Sequence, residues 1–222
     1  MIDNNCRKQI LDLIAREVVP AVGCTEPMAV ALCVARATEM LGKRPEKITV
    51  MLSANILKNA MGVGIPGTGM IGLPIAIALG ALIGKSEYQL EVLKDLTPET
   101  LEQGKKYMEE GHIDIQLKQG HCDKLYIEAI CGALGDQATA IIATGHTHFV
   151  YEERNGQVNF DRRGGTADEG ETESVALNMK LVHEFATTAP VDEIRFILKT
   201  KEYNLRAAEE SIKGNYGHCL GK

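Results

Sequence analysis

Apolar residues recur at helical spacing near the start of the chain, at Ile10, Leu13, Ile14 and Val18. That spacing predicts a first helix capped within Asp3–Asn5 and closed by Pro20. A second helix follows Gly23–Cys24–Thr25–Glu26–Pro27, with Thr25 as the expected N-cap and Pro27 just inside, where its missing N–H costs nothing. Its run, MAVALCVARATEML, is apolar on nearly every side until Arg36, so this helix is expected to be buried, with Gly42 and Pro45 bounding it. Lys47–Ser53 alternates and is β-branched, hence a strand. A polar set (Ser53, Asn55, Lys58, Asn59) then runs into a glycine-rich loop, Gly62 to Gly69, and an apolar segment, Met70 to Gly84, read as a core helix. Ser86–Lys94 and Pro98–Gly111 are two more expected helices, the second capped by Thr97 with Glu99 and Glu102 suiting its first turn.

The period then falls to two. Ile113–Lys118, Lys124–Cys131, Gln137–Thr144 and Thr147–Arg154 read as four consecutive strands, with Gly120, Gly132–Gly135, Gly145 and Asn155–Gly156 at the turns. Asn155–Gly156 is a tight hairpin signal. Asp161–Glu173 is polar and glycine-bearing, an expected exposed loop. Helices over Ser174–Thr188, Val191–Lys201 and Asn204–Ile212 follow, the last leading to Tyr216. Helices, a meander, then helices predict an α+β fold of helices packed on a mainly antiparallel sheet. No internal repeat is visible. The ending, GNYGHCLGK, has neither a helix stop nor a polar tail, which leads us to expect a cut chain.

Composition narrows the class. The 222 residues suffice for one large or two small domains, and the 45% hydrophobic and 24% charged content is that of an ordinary soluble protein. With 5% aromatics, no Trp and a net charge of -6, neither base stacking nor a basic nucleic-acid surface is supported. The start, MIDNNCRKQI, is not a signal peptide. Met70–Gly84 is too short for a membrane span and contains Pro74 and Gly80. Six cysteines (Cys6, Cys24, Cys33, Cys122, Cys131, Cys219) form no C-x-x-C pair, as in a reduced cytosolic chain.

Glycines at the density of Gly62–Gly69 let a ligand approach backbone N–H groups, and a helix starting just after adds a positive dipole end, which suits a carboxylate or phosphate. The alternative is a turn ahead of a core helix. Gly62-x-Gly64-x-x-Gly67 matches the dinucleotide fingerprint literally, but the nearest strand ends at Ser53 and Pro66 lies inside the motif; a P-loop would need a Lys after Gly67, where Thr68 stands. Cys24, just before a helix start, is placed where the dipole favours thiolate, the form that binds metal or attacks; otherwise it is a small buried hydrophobe. Cys33 reads as core, and Cys6, Cys122 and Cys131 show no ligand spacing. His146 and His148 would share a face if a strand ran through them, one way to hold a metal, although a polar strand end explains them equally. His112 and His121 read as turn residues. On a helix starting near Ala54, Asn55, Lys58 and Asn59 share one face beside the glycine loop, which points to a ligand with a carboxylate and a second polar group.

Three ordered motifs, Gly23–Cys24–Thr25–Glu26–Pro27, Ser53-x-Asn55-x-x-Lys58–Asn59 and Gly64–Ile65–Pro66–Gly67–Thr68–Gly69, resemble the L-cysteine desulfidase family, which is related to the iron–sulfur L-serine dehydratases. The similarity runs the whole chain, including Gly145–His146–Thr147–His148 and Asn215–Tyr216–Gly217. It implies a cytoplasmic lyase, independent of pyridoxal phosphate, that takes L-cysteine to pyruvate, ammonia and sulfide, or L-serine to pyruvate and ammonia. It also implies a 4Fe-4S cluster held by three cysteines. Cys24 matches the first; the others belong to a C-terminal helical domain that Cys33, Cys122, Cys131 and Cys219 do not match. The resemblance therefore implies an N-terminal portion comparable to the β-chain of the serine dehydratases: residues 1–200 contacting substrate and cluster, and 201–222 leading into an absent catalytic domain. Lys58 is the implied base or carboxylate anchor, with Ser53, Asn55, Asn59, Gly67, Thr68 and Gly69 orienting the substrate. For this fragment alone, a non-catalytic substrate-binding or assembly module is the alternative. Homodimer formation stays open; nucleic acid and membrane are not expected partners.

Overall fold

A computed structural model describes residues 2–21, 23–163 and 175–214. Along the chain run α1 (Asn4–Glu17), α2 (Thr25–Leu41), β1 (Lys47–Leu52), α3 (Ala54–Ala60), β2 (Gly64–Ile65), β3 (Met70–Ile71), α4 (Leu73–Ile83), a 3-10 turn (Ser86–Glu91) and α5 (Pro98–Glu109). Then come β4 (Ile113–Leu117), β5 (Tyr126–Ala133), β6 (Asp136–Ala143), β7 (Phe149–Arg154), β8 (Gln157–Asp161), α6 (Met179–Thr188), α7 (Val191–Ile194), a second 3-10 turn (Arg195–Leu198) and α8 (Lys199–Lys213). Two compact units emerge, Pro20–Thr166 and Met1–Val19 with Ala167–Lys222.

The larger unit is α+β. Its six-stranded sheet has the order β4-β1-β5-β6-β7-β8, antiparallel except where β1 pairs β4 in parallel. Alternation sorts its faces: Ile48, Val50 and Leu52 of β1 and Ile127, Ala129 and Cys131 of β5 point into the main core with α2. Ile141, Ala143, Val150 and Tyr151 form a smaller cluster of their own. Helix α2 lies on β5 and β6 and against α4. That second contact is very close, since a Cβ on Gly80 would sit 2.6 Å from the Ala31 carbonyl oxygen. Leu32, Leu41, Ile48, Leu52, Ile75, Ile77 and Leu79 are fully buried, each contributing roughly 1.5–3 kcal/mol. One charged pair bounds this core: Arg36 on α2 donates from Nε and Nη2 to both oxygens of Glu152 on β7, at 2.7 and 2.8 Å.

The structure departs from the sequence reading in several places. Cys24, not Thr25, is the N-cap of α2. The Ser86–Lys94 helix is only a 3-10 turn, broken at Gln89, whose φ of 52° no helix accommodates. The expected four-strand meander loses its first member, because β4 leaves to pair with β1, and gains β8 beyond Asn155–Gly156. Both turn residues there have positive φ, as a tight hairpin demands.

The smaller unit is helical. Asp3 caps α1, accepting from the Cys6 amide at 2.8 Å, and Asn178 caps α6, which starts at Met179 instead of Ser174. The two expected final helices are α7, a 3-10 turn and a continuous α8. Residues 164–173 of the expected loop, Ser174, Tyr216 and Cys219 lie outside the described residues. Among the described residues, no helix is long and apolar enough to cross a membrane.

Candidate functional site

Ser53 ends β1 and caps α3. Its buried hydroxyl accepts from the Ile56 amide at 3.4 Å and donates to the Lys124 carbonyl at 2.7 Å, so it ties α3 to the segment before β5 and its proton is committed to the fold. Beyond it, α3 carries Asn55, Lys58 and Asn59 at helical spacing, the first two exposed and the third half-buried. Among the described residues, the side chains of Asn55 and Lys58 make no hydrogen bond or ion pair.

The glycine-rich loop is a miniature hairpin. β2 and β3 pair Gly64 with Ile71 and Ile65 with Met70, leaving Pro66–Gly67–Thr68–Gly69 as the turn. Gly67 and Gly69 have φ of 76° and 65°, the left-handed region that favours glycine. Thr68 is a bracing residue: its buried hydroxyl donates to the Ile65 carbonyl at 2.6 Å and accepts from the Met70 amide at 3.0 Å, and its own amide also donates to Ile65. The amides of Gly67 and Gly69 have no intrachain acceptor among the described residues. Of the three expected amides, two are therefore open. The expected dipole assistance is missing, because α4 begins only after β3 and Gly72, at the hairpin's base, where Gly72 donates to the Val63 carbonyl.

The segment ahead of α2 meets both of these elements. A Cβ on Gly23 would fall 2.5 Å from Cγ of Pro66, so the thiol-bearing segment touches the hairpin through a missing side chain. Asn59 Nδ2 donates to Glu26 Oε1 at 3.2 Å. Glu26 Oε2 accepts from Cys24 Sγ at 3.0 Å and from Thr25 Oγ1 at 3.3 Å. Thr25 Oγ1 also shares a hydrogen bond with His146 Nε2 at 3.3 Å, across 121 positions of sequence. Four separated motifs thus touch at one place. His146 and His148 do not share a strand face, since residues 144–148 form a loop in which His148 turns back to the Thr144 hydroxyl.

Electrostatics here runs opposite to the helix-dipole expectation. The Cys24 thiol is pushed up, first by burial and then by the Glu26 carboxylate that accepts its proton. Glu26 is pulled below the usual carboxylate range, chiefly by that same bond, with Asn59 and the His146 charge helping. The sequence reading placed Glu26 in its motif but gave it no role, because a lone acid in a first turn reads as dipole compensation. Its i+2 spacing from Cys24 was the available signal.

These residues do not hold an iron–sulfur cluster by themselves. Cys24 is one thiol. Cys33 and Cys131 are sealed in the core with raised pKa values, Cys131 at about 12, Cys6 belongs to the helical unit, and the half-buried Cys122 has no contact to Cys24 among the described residues. Among the described residues, no group of three His, Cys, Asp or Glu side chains is placed to bind a metal ion. A groove of about 630 Å³ lined by Glu39, Met40, Arg154, Asn155, Gln157 and Asn159 lies elsewhere. Glu39 is about 22 Å along α2 from Cys24 by helix rise.

The chain is similar to UPF0597 proteins. One from Phocaeicola vulgatus is 64% identical over 222 residues, covering 100% of this chain and 52% of that protein. One from Porphyromonas gingivalis is 48% identical over 227 residues (100% and 52%), and one from Oleidesulfovibrio alaskensis 43% over 213 residues (96% and 50%). The chain spans about half the length of the curated relatives it matches. No protein-family model matches it. No solved structure matches it at a significant level.

Proposed function

We propose that the chain is the substrate-binding, thiol-bearing part of a cytoplasmic β-elimination lyase that converts L-cysteine to pyruvate, ammonia and sulfide, as the L-cysteine desulfidases do. The observation that supports this most is the meeting of Gly23–Glu26, Asn59, Pro66 and His146, residues from the motifs that carry the resemblance. The open amides of Gly67 and Gly69, with Asn55, would receive the substrate carboxylate. Lys58, unpaired on the same helix as Asn55, would anchor that carboxylate or take the Cα proton. Ser53 and Thr68 support the site without touching substrate. Cys24 would supply one thiol to a 4Fe-4S cluster whose other ligands come from the half of the relatives' length outside this span.

For these 222 residues alone, a non-catalytic binding module is the second reading. It is favoured by the burial of Cys33 and Cys131, which removes two of the thiols that a cluster would need. One experiment tests the activity. Full-length protein purified without oxygen is expected to release sulfide and pyruvate in equal amounts from L-cysteine. Pyruvate from L-serine, with L-cysteine untouched, would reassign the reaction to dehydration; consumption of neither would end the proposal.

A further inference from the structure

We infer that Glu26 recognises the α-ammonium group of the substrate, with Lys58 of α3 receiving the carboxylate, so that the site selects a zwitterionic α-amino acid. This rests on the lyase reading above. Among the four segments that meet at the site (residues 23–27, 53–59, 62–69 and 144–148), Glu26 is the sole carboxylate and Lys58 the sole lysine. A carboxylate accepts about four hydrogen bonds. Oε2 of Glu26 already takes two, from Cys24 and Thr25, while Oε1 takes only Asn59. One position on Oε1 is left, on the oxygen bonded to α3, and the residue next to Asn59 on that helix is Lys58.

The two charges do not neutralise each other, since Lys58 has no ion pair among the described residues. The anion is held by Asn59, whose neighbour on α3 is the unpaired Lys58, and the segment ahead of α2 meets the hairpin that carries the open Gly67 and Gly69 amides through Pro66. An α-amino acid presents the matching charges on either side of one carbon. Its ammonium can donate to Oε1 while its carboxylate meets Lys58 and the turn amides, both as charge-assisted bonds. Glu26 would otherwise be only an acid in the first turn of α2 that steadies the helix dipole.

Calorimetry on the full-length protein separates these roles with three probes: L-cysteine, cysteamine, which lacks the carboxylate, and 3-mercaptopropionate, which lacks the ammonium. Glu26→Gln keeps the side-chain shape and removes the charge. It is expected to weaken L-cysteine and cysteamine about tenfold or more while leaving 3-mercaptopropionate within about twofold. Lys58→Met is expected to give the mirror result, weakening L-cysteine and 3-mercaptopropionate and sparing cysteamine. If Glu26→Gln weakens all three probes alike, or none, the ammonium role is overturned while the lyase reading stands on wild-type L-cysteine binding. If the wild type binds none of the three, both fall together.

Discussion

The interior between α2, α4 and the sheet and the polar seam at the N-terminal end of α2 are built on opposite terms. In the interior, shape decides: Gly80 admits Ala31 by having no side chain, and the one charged pair, Arg36 with Glu152, has both guanidinium bonds satisfied. At the seam, hydrogen bonds decide, and some groups are left unused. Ser53 and Thr68 are occupied within the fold, whereas Asn55, Lys58 and two turn amides are not. Polar groups left without a partner are what the seam has and the interior lacks, and the proposed function rests on that difference.

The comparison can be broken first in the interior. Gly80→Val drives carbon into backbone that cannot yield, and a loss of about 3 kcal/mol is expected in denaturant unfolding; a loss under about 0.5 would mean α2 and α4 can slide apart. Arg36→Met leaves a buried carboxylate unpaired. About 2–3 kcal/mol should be lost, with most regained in Arg36→Met/Glu152→Leu, a cycle that fails if the double variant is no better than the single. Gly23→Ala acts at the seam, where φ of +77° and the Pro66 ring oppose a methyl group; we expect a cost of about 1–2 kcal/mol in thermal unfolding, and a neutral result would show that the segment does not rest on the hairpin. Glu26→Gln removes a neighbour that holds Cys24 protonated, so the thiol pKa falls and alkylation at pH 8 should quicken about two- to threefold. An unchanged rate would leave burial as the only cause. Lys58→Ala should be nearly silent in melting, within about 0.5 kcal/mol, if that lysine is kept for a ligand.

Most of the interior was legible because one period fixes it. The apolar run after Pro27 and the αL stop at Gly42 define α2, and alternation from Ile48 to Leu52 and Ile127 to Ala133 defines the inner faces of β1 and β5. Pairing was not legible. Ile113–Leu117 alternates like any strand, and nothing in its own residues distinguishes the first member of a meander from a parallel edge beside β1. The hairpin of β2 and β3 is too short to carry a period at all. At the candidate site, the motifs singled out in the sequence do touch, while hydrogen-bond roles depended on which hydroxyls the backbone would claim. Thr68 and Ser53 read as ligand groups and have their hydroxyl protons engaged within the fold; Glu26, given no role in the sequence reading, is the point where Cys24, Thr25 and Asn59 converge.

The bracketing of β1 by β4 and β5 has a consequence for synthesis. Both neighbours are translated well after it, the later one ending at Ala133, about 80 residues beyond Leu52. At ribosomal rates of about 5–20 residues per second, β1 waits roughly 3–13 s before β4 is complete at Leu117, and roughly 4–16 s before β5 is. The apolar underside of α2 waits with it. That interval is the nascent polypeptide's window of greatest stickiness, and a holding chaperone has its most useful moment there.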